Sequence, residues 1–148
     1  YARAAKTAGR SCPLKNIAVA RYVYLADSPR EAMEDLRPAI TYELGFQIKR
    51  GLIRMLKSNY NWQFAGDDVS FDQLAEAGMY FLGDPDSVAR QLREFYEASG
   101  GFGTLLIVTG KDWATREKRA RSMKLFMDHV APQLRDLEPI REPGEVAA

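Results

Sequence analysis

The sequence predicts an α/β fold of about three parallel strands with covering helices, and three observations predict it. Short apolar runs occur at Ile17–Leu25, Met79–Leu82 and Thr104–Thr109, the length of strands and too short for helices. In the first run both alternating sets are apolar, Ile17, Val19, Val23 and Leu25 on one side and Ala18, Ala20, Tyr22 and Tyr24 on the other. That is the pattern of a strand covered on both faces, as in parallel sheets. Each run is also followed by a helix start, at Ser28-Pro29, Asp84-Pro85 and Thr115; three strand–helix rounds in succession are the grammar of α/β folds.

The elements follow in order. Tyr1–Arg10 (YARAAKTAGR) reads as the last turns of an Ala-rich helix ending at Gly9. With neither an initiator Met nor a signal-peptide core, it gives the chain the look of a piece of something longer. After Ile17–Leu25, Ser28 is placed to cap a helix, Pro29 fits its first position, and Glu31 stands where a capping box places its carboxylate. Pro38 should kink or end that helix, with a second one resuming over Tyr42–Lys57 on Leu44, Ile48, Leu52 and Met55 or Leu56. Ser58–Asp68 reads as a long connection before a short helix, Phe71–Ala77. Val88, Leu92 and Phe95 recur at helical spacing from Pro85 to a Gly100-Gly101 stop. Thr115 caps a long helix expected to carry Met123, Phe126, Met127, Val130 and Leu134 on one stripe. From Glu138 onward, Pro, Gly and Glu indicate a disordered tail, leaving residues 1–137 as the folded segment.

Composition excludes several functions. The 148 residues are 46% hydrophobic and 28% charged, as in globular domains. No apolar run approaches the ~20 residues of a membrane span. Lys+Arg 21 against Asp+Glu 20 gives a net charge of +1, which argues against nucleic acid or an acidic membrane as partner. One cysteine and one histidine allow neither an internal disulfide nor a Cys/His zinc set, and a cytoplasmic location is expected. The first strand–helix turn, Ala26-Asp27-Ser28-Pro29, has no glycine, which weakens a dinucleotide-binding reading.

In parallel α/β proteins the working residues lie beyond the carboxyl ends of strands. The richest such segment is Gly110-Lys111-Asp112-Trp113, a cation, a carboxylate and an aromatic face able to line a pocket for a flat ring system. On the plainer reading Lys111 and Asp112 are solvated loop charges and Trp113 seals an edge. His129 lacks any triad partner and reads as a helix-surface residue. Cys12, near Arg10 and Lys15, reads as structural rather than nucleophilic. The basic residues between Lys111 and Lys124 are interrupted by Asp112 and Glu117 and read as a solvated helix face. Tyr60, Trp62 and Phe64 serve equally as a lid over an apolar substrate or as anchors for a long loop.

Several segments together resemble a known family. These are Ala2 to Arg10, Ala20-Arg21-Tyr22-Val23-Tyr24-Leu25-Ala26-Asp27 leading into an acidic, Ala-containing helix, Phe81-Leu82-Gly83-Asp84-Pro85-Asp86-Ser87-Val88 with Gln91-Leu92, Thr104-Leu105-Leu106, Trp113, and Arg121-Ser122-Met123-Lys124-Leu125-Phe126 with Val130-Ala131-Pro132. In this order they are similar to the carboxyl-terminal part of luciferase-like flavin-dependent monooxygenases, nearest the bacterial luciferase-like and limonene-monooxygenase-like branch. The resemblance extends to about Leu137. It implies the C-terminal part of a TIM (β/α)8-type barrel. It further implies a full-length parent that uses reduced FMN, or a deazaflavin, and O2 to oxidise a small organic substrate. The family's flavin-phosphate ligands lie on earlier strands without a counterpart here, so no catalytic residue is assigned and the chain alone is expected to bind no flavin and be inactive. Lys111, Trp113 and Arg21 are pocket candidates from strand-end position, Arg21 alternatively being a buried ion-pair partner. A non-catalytic α/β association module is the other function expected from open sheet edges. A homodimer through the strands is expected to cover a barrel face the chain cannot cover itself.

Overall fold

The computed structural model describes residues 2–11, 13–59, 62–64, 66 and 69–137. Expectations for Cys12, Tyr60 and the tail from Glu138 fall outside these residues. Helix α1 (Ala2–Thr7) closes before Gly9, at φ +64, and one 3-10 turn (Leu14–Asn16) leads into β1 (Ala18–Leu25). The helix after β1 starts where its cap predicts: the Ser28 hydroxyl accepts the Glu31 N–H at 3.1 Å, and the Glu31 carboxylate accepts the Asp27 N–H at 3.1 Å.

That helix, α2 (Pro29–Lys49), overturns the expected break at Pro38, through which it runs without interruption. Pro38 removes one backbone bond at a cost of about 3 kcal/mol, but both Pro38 and Glu34, whose carbonyl loses its partner, are exposed. On the inner stripe Leu36, Ile40 and Leu44 are buried. At about 1.5–3 kcal/mol each, their burial outweighs the loss. The chain breaks instead after Arg50, where Gly51 takes φ +70 before α3 (Ile53–Asn59). Helix α4 (Phe71–Glu76) has a full capping box between Ser70 and Gln73. Strand β2 (Tyr80–Gly83) then feeds α5 (Pro85–Ser99), capped by Asp84 and ended by Gly100 at φ +80.

Strand β3 (Thr104–Val108) is followed by α6 (Arg116–Leu125), a π turn (Phe126–Val130) and a 3-10 turn (Ala131–Leu134). The expected stripe through Met123 and Met127 is corrected here. Both are exposed, and the buried residues are Ser122, Phe126 and Val130. A π turn has more residues per turn than an α-helix, which holds residues four apart on one face.

All strands are parallel, in the order β2-β1-β3. The α/β class and the three covered parallel strands are as the sequence predicts, but the order is not that of successive barrel strands, which follow one another in chain order. Because β1 lies between its two successors, right-handed connections place helices on both faces. One face packs Tyr24, Ala26 and Leu82 with α2, α4 and Trp113; the other packs Val23, Leu25 and Phe81 with α5 and the turns after α6. An entire bare sheet face is therefore not found. The uncovered part is a strip of Ala18, Ala20, Leu106 and Val108, where β3 meets the first half of β1.

Two glycines fix close approaches around β3. A Cβ at Gly103 would lie 1.6 Å from the Lys15 carbonyl oxygen, and one at Gly110 would lie 2.2 Å from Trp113 Nε1.

Candidate functional site at the strand ends

Beyond the carboxyl ends of the three strands, each following helix start has a backbone amide engaged by its cap. The Ser28 hydroxyl accepts from Glu31, the Asp84 carboxylate accepts the Ser87 N–H at 3.0 Å, and the Thr115 hydroxyl accepts the Lys118 N–H at 3.3 Å. A phosphate binds a helix N-terminus through such free amides. Here one amide of each start is taken, Pro29 and Pro85 at the first helical position offer none, and in one case the cap is a carboxylate that would repel an anion. The Ser87 N–H, then its hydroxyl, hold the Asp84 carboxyl below its ordinary range. These helix starts therefore do not fit the phosphate of FMN.

A charged clasp joins α2 to α6 above the sheet. Tyr24 Oη donates to Asp35 at 2.8 Å and Lys118 Nζ donates to the other Asp35 oxygen at 2.5 Å, while Arg121 pairs with Asp27. Burial, followed by the bond to Asp35, raises the Tyr24 phenol well above its ordinary value, so it stays neutral and donates. The Asp35 hydrogen bond likewise raises the Lys118 ammonium. With every member of the clasp partnered, its chemistry is that of a fastening between helices.

Sequence reasoning named Ser122 only within the family resemblance and gave no role to its buried hydroxyl, which accepts the Leu25 N–H at 2.8 Å. A serine inside a basic helix gives no signal of this; only the early end of β3 reveals it.

The segment after β3 forms the wall of an aromatic cluster. Trp113 is 1% exposed, with its ring centroid 5.6 Å from Tyr22 and 5.8 Å from Tyr80. Beside Tyr22 lies a groove of about 190 Å³ lined by Ala20, Arg21, Tyr22, Met79 and Val108. The three pocket candidates do not converge. Trp113 is in the core, Lys111 is solvated with Asp112 at 3.9 Å, and the Arg21 guanidinium lies 4.0 Å from the centre of the Phe95 ring, over the face opposite Trp113. Arg21 thus has an aromatic partner rather than a buried carboxylate. His129 is exposed, and Trp62 meets Phe64 edge-on at 5.1 Å. Among the described residues no group of three His, Cys, Asp or Glu could hold a metal, and no helix is long and apolar enough to cross a membrane.

The class defined by this fold is a parallel α/β sheet with helices on both faces, and comparison with known proteins narrows it. No family model matches the chain. It is 29% identical over 121 residues to limonene 1,2-monooxygenase of Rhodococcus erythropolis, a match covering 79% of this chain and 28% of that protein. It is 31% identical over 134 residues to 4-hydroxyprotoasukamycin monooxygenase of Streptomyces nodosus subsp. asukaensis, covering 84% of this chain and 32% of that one. Among solved structures it is similar to the oxygenating constituent of 3,6-diketocamphane monooxygenase of Pseudomonas putida, a type II Baeyer–Villiger monooxygenase in complex with FMN. The TM-score is 0.69 at 23% identity, over 89% of this chain and 37% of that one. Homologues of the luciferase-like, FMN-dependent monooxygenase class thus cover most of this chain, which spans about a third of the length of the curated relatives it matches.

Proposed function

We propose that this chain is the carboxyl-terminal segment of a flavin-dependent monooxygenase whose full-length parent oxidises a small organic substrate with O2 and reduced FMN. The observation that carries the reading is that relatives named as monooxygenases match 79% and 84% of the chain. In the parent this segment supplies strands and helices of a TIM-type barrel, in which chain-order pairing with neighbouring strands takes the place of the β2-β1-β3 order found here. Its self-capped helix starts leave the flavin phosphate to residues outside the segment. Lys111 is a pocket candidate only as a solvated strand-end cation, and Trp113 only as an aromatic wall. The cytoplasm is the proposed location.

The test is a titration of the purified chain with FMN, followed by the same titration and O2 consumption on the polypeptide encoded with its upstream sequence. No saturable change in flavin fluorescence is expected for the chain alone, with binding and FMN-dependent O2 consumption in the longer product. Saturation at micromolar FMN by the chain alone refutes the assignment of the phosphate site elsewhere. Absence of both activities from the longer product refutes the monooxygenase reading.

A second reading, an association module that pairs with itself, is favoured by one observation. The bare strip of Ala18, Ala20, Leu106 and Val108 borders β3, an edge strand with no charge or proline in Thr104–Val108 to discourage pairing.

A further inference from the structure

Two features meet at the Gly110–Thr115 segment, and neither is what a permanent wall needs. Ala114 is the one non-glycine residue with positive φ among the described residues, at +50, a conformation that is strained for a side chain with a Cβ. Trp113 Nε1 is buried and has no hydrogen-bond partner, a state that disfavours the seated ring. Against these stand the Tyr22 and Tyr80 ring contacts and one clamp. Arg119 donates from a single guanidinium nitrogen to the carbonyls of Trp113 and Ala114, both at 2.9 Å. Strained non-glycine residues and orphaned buried donors concentrate at working sites, where a second arrangement is close in energy.

We propose that Trp113 is the removable wall of a binding site for a small apolar ring compound. With the indole swung out, the space it leaves over Tyr22 and Tyr80 joins the groove lined by Ala20, Tyr22, Met79 and Val108. Arg21 also borders the groove, but its guanidinium is engaged over Phe95 on the far side of the sheet. The walls of the joined space are therefore aromatic and aliphatic, suited to a hydrocarbon ring and poor for a charged one. The inference stands on the geometry of this segment and not on the monooxygenase reading, so either can fail alone.

The probe is toluene, and the readout is the emission of Trp113 in a Trp62→Phe background, which removes the other of the two tryptophans. In the absence of toluene, Trp113 should emit at short wavelength and resist acrylamide. Toluene should shift the emission to the red and raise acrylamide quenching saturably. Two further substitutions leave the ring contacts alone and should act in opposite directions. Ala114→Gly relieves the strain of the seated state and should weaken toluene binding by about tenfold. Arg119→Ala removes the clamp and should strengthen it severalfold. Unchanged emission and quenching up to toluene saturation overturn the proposal. So does an Ala114→Gly midpoint equal to that of the parent background, whether or not Arg119→Ala folds.

Discussion

Replacing Ser122 by alanine removes one oxygen atom and should cost about 1–3 kcal/mol, because of what that oxygen leaves behind. The β1·β3 ladder ends at Tyr22↔Val108, whereas β1·β2 continues to Leu25↔Gly83. The Ala26 N–H donates to Gly83 at 3.0 Å, toward β2. Backbone amides alternate in direction along a strand, so the Leu25 N–H points to the other side, where β3 has already stopped. The Ser122 hydroxyl meets it there at 2.8 Å in a position only 2% exposed. In the alanine variant a buried donor keeps its desolvation cost and loses its partner. Urea unfolding should show the loss as a fall in midpoint of about 1 M at the slopes usual for small domains. Amide exchange should localise it as faster exchange at Leu25. Met123→Ala, one residue along on the exposed side of the same helix, controls for helix propensity and should change the stability by a few tenths of a kcal/mol at most. Coincident midpoints for wild type and Ser122→Ala, with unchanged slope and unchanged Leu25 exchange, would refute the reasoning.

Asp84→Ala should cost about 0.5–2 kcal/mol by removing the α5 cap, read as a denaturant midpoint. The Asp84 carboxyl is held below the ordinary carboxylate range by the Ser87 N–H and hydroxyl. Its ionised form therefore stabilises the fold above the unfolded value, and that contribution is lost as pH falls through the lower folded value. Asp84→Asn keeps a capping oxygen but cannot ionise, so the stability difference from wild type should shrink below about pH 4; a constant difference contradicts the cap's charge effect. If the strip beside β3 is a self-association surface, light scattering should give a mass above 16.7 kDa that falls on dilution, and Leu106→Lys should abolish the excess. A constant mass of one chain removes that reading.

What could be read from the sequence was local. Ser28, Asp84, Thr115 and Gly100 mark helix boundaries because a cap bonds to amides two or three residues away and a left-handed stop needs only its own backbone. Strand order, by contrast, is decided between segments far apart in the chain. Nothing in Ile17–Leu25 states that both of its successors will pair with it, one on each side. Pro38 was misleading for the same reason: its local penalty is visible in the sequence, while the buried stripe that overrides it is visible only against the sheet. The candidate site divides along the same line. The strand-end position of Gly110–Trp113 follows from topology and so could be anticipated, but the direction of Arg21 could not, because alternation makes its side depend on which helix covers which face. The strain at Ala114 was hidden as well. Alanine is an ordinary residue in a sequence, and it becomes informative only when its φ is +50 and Arg119 is found holding its carbonyl. The features that would give this segment a function are therefore those in which local preference is overruled by distant contacts, which is why a capped and regular framework could be predicted around a site that could not.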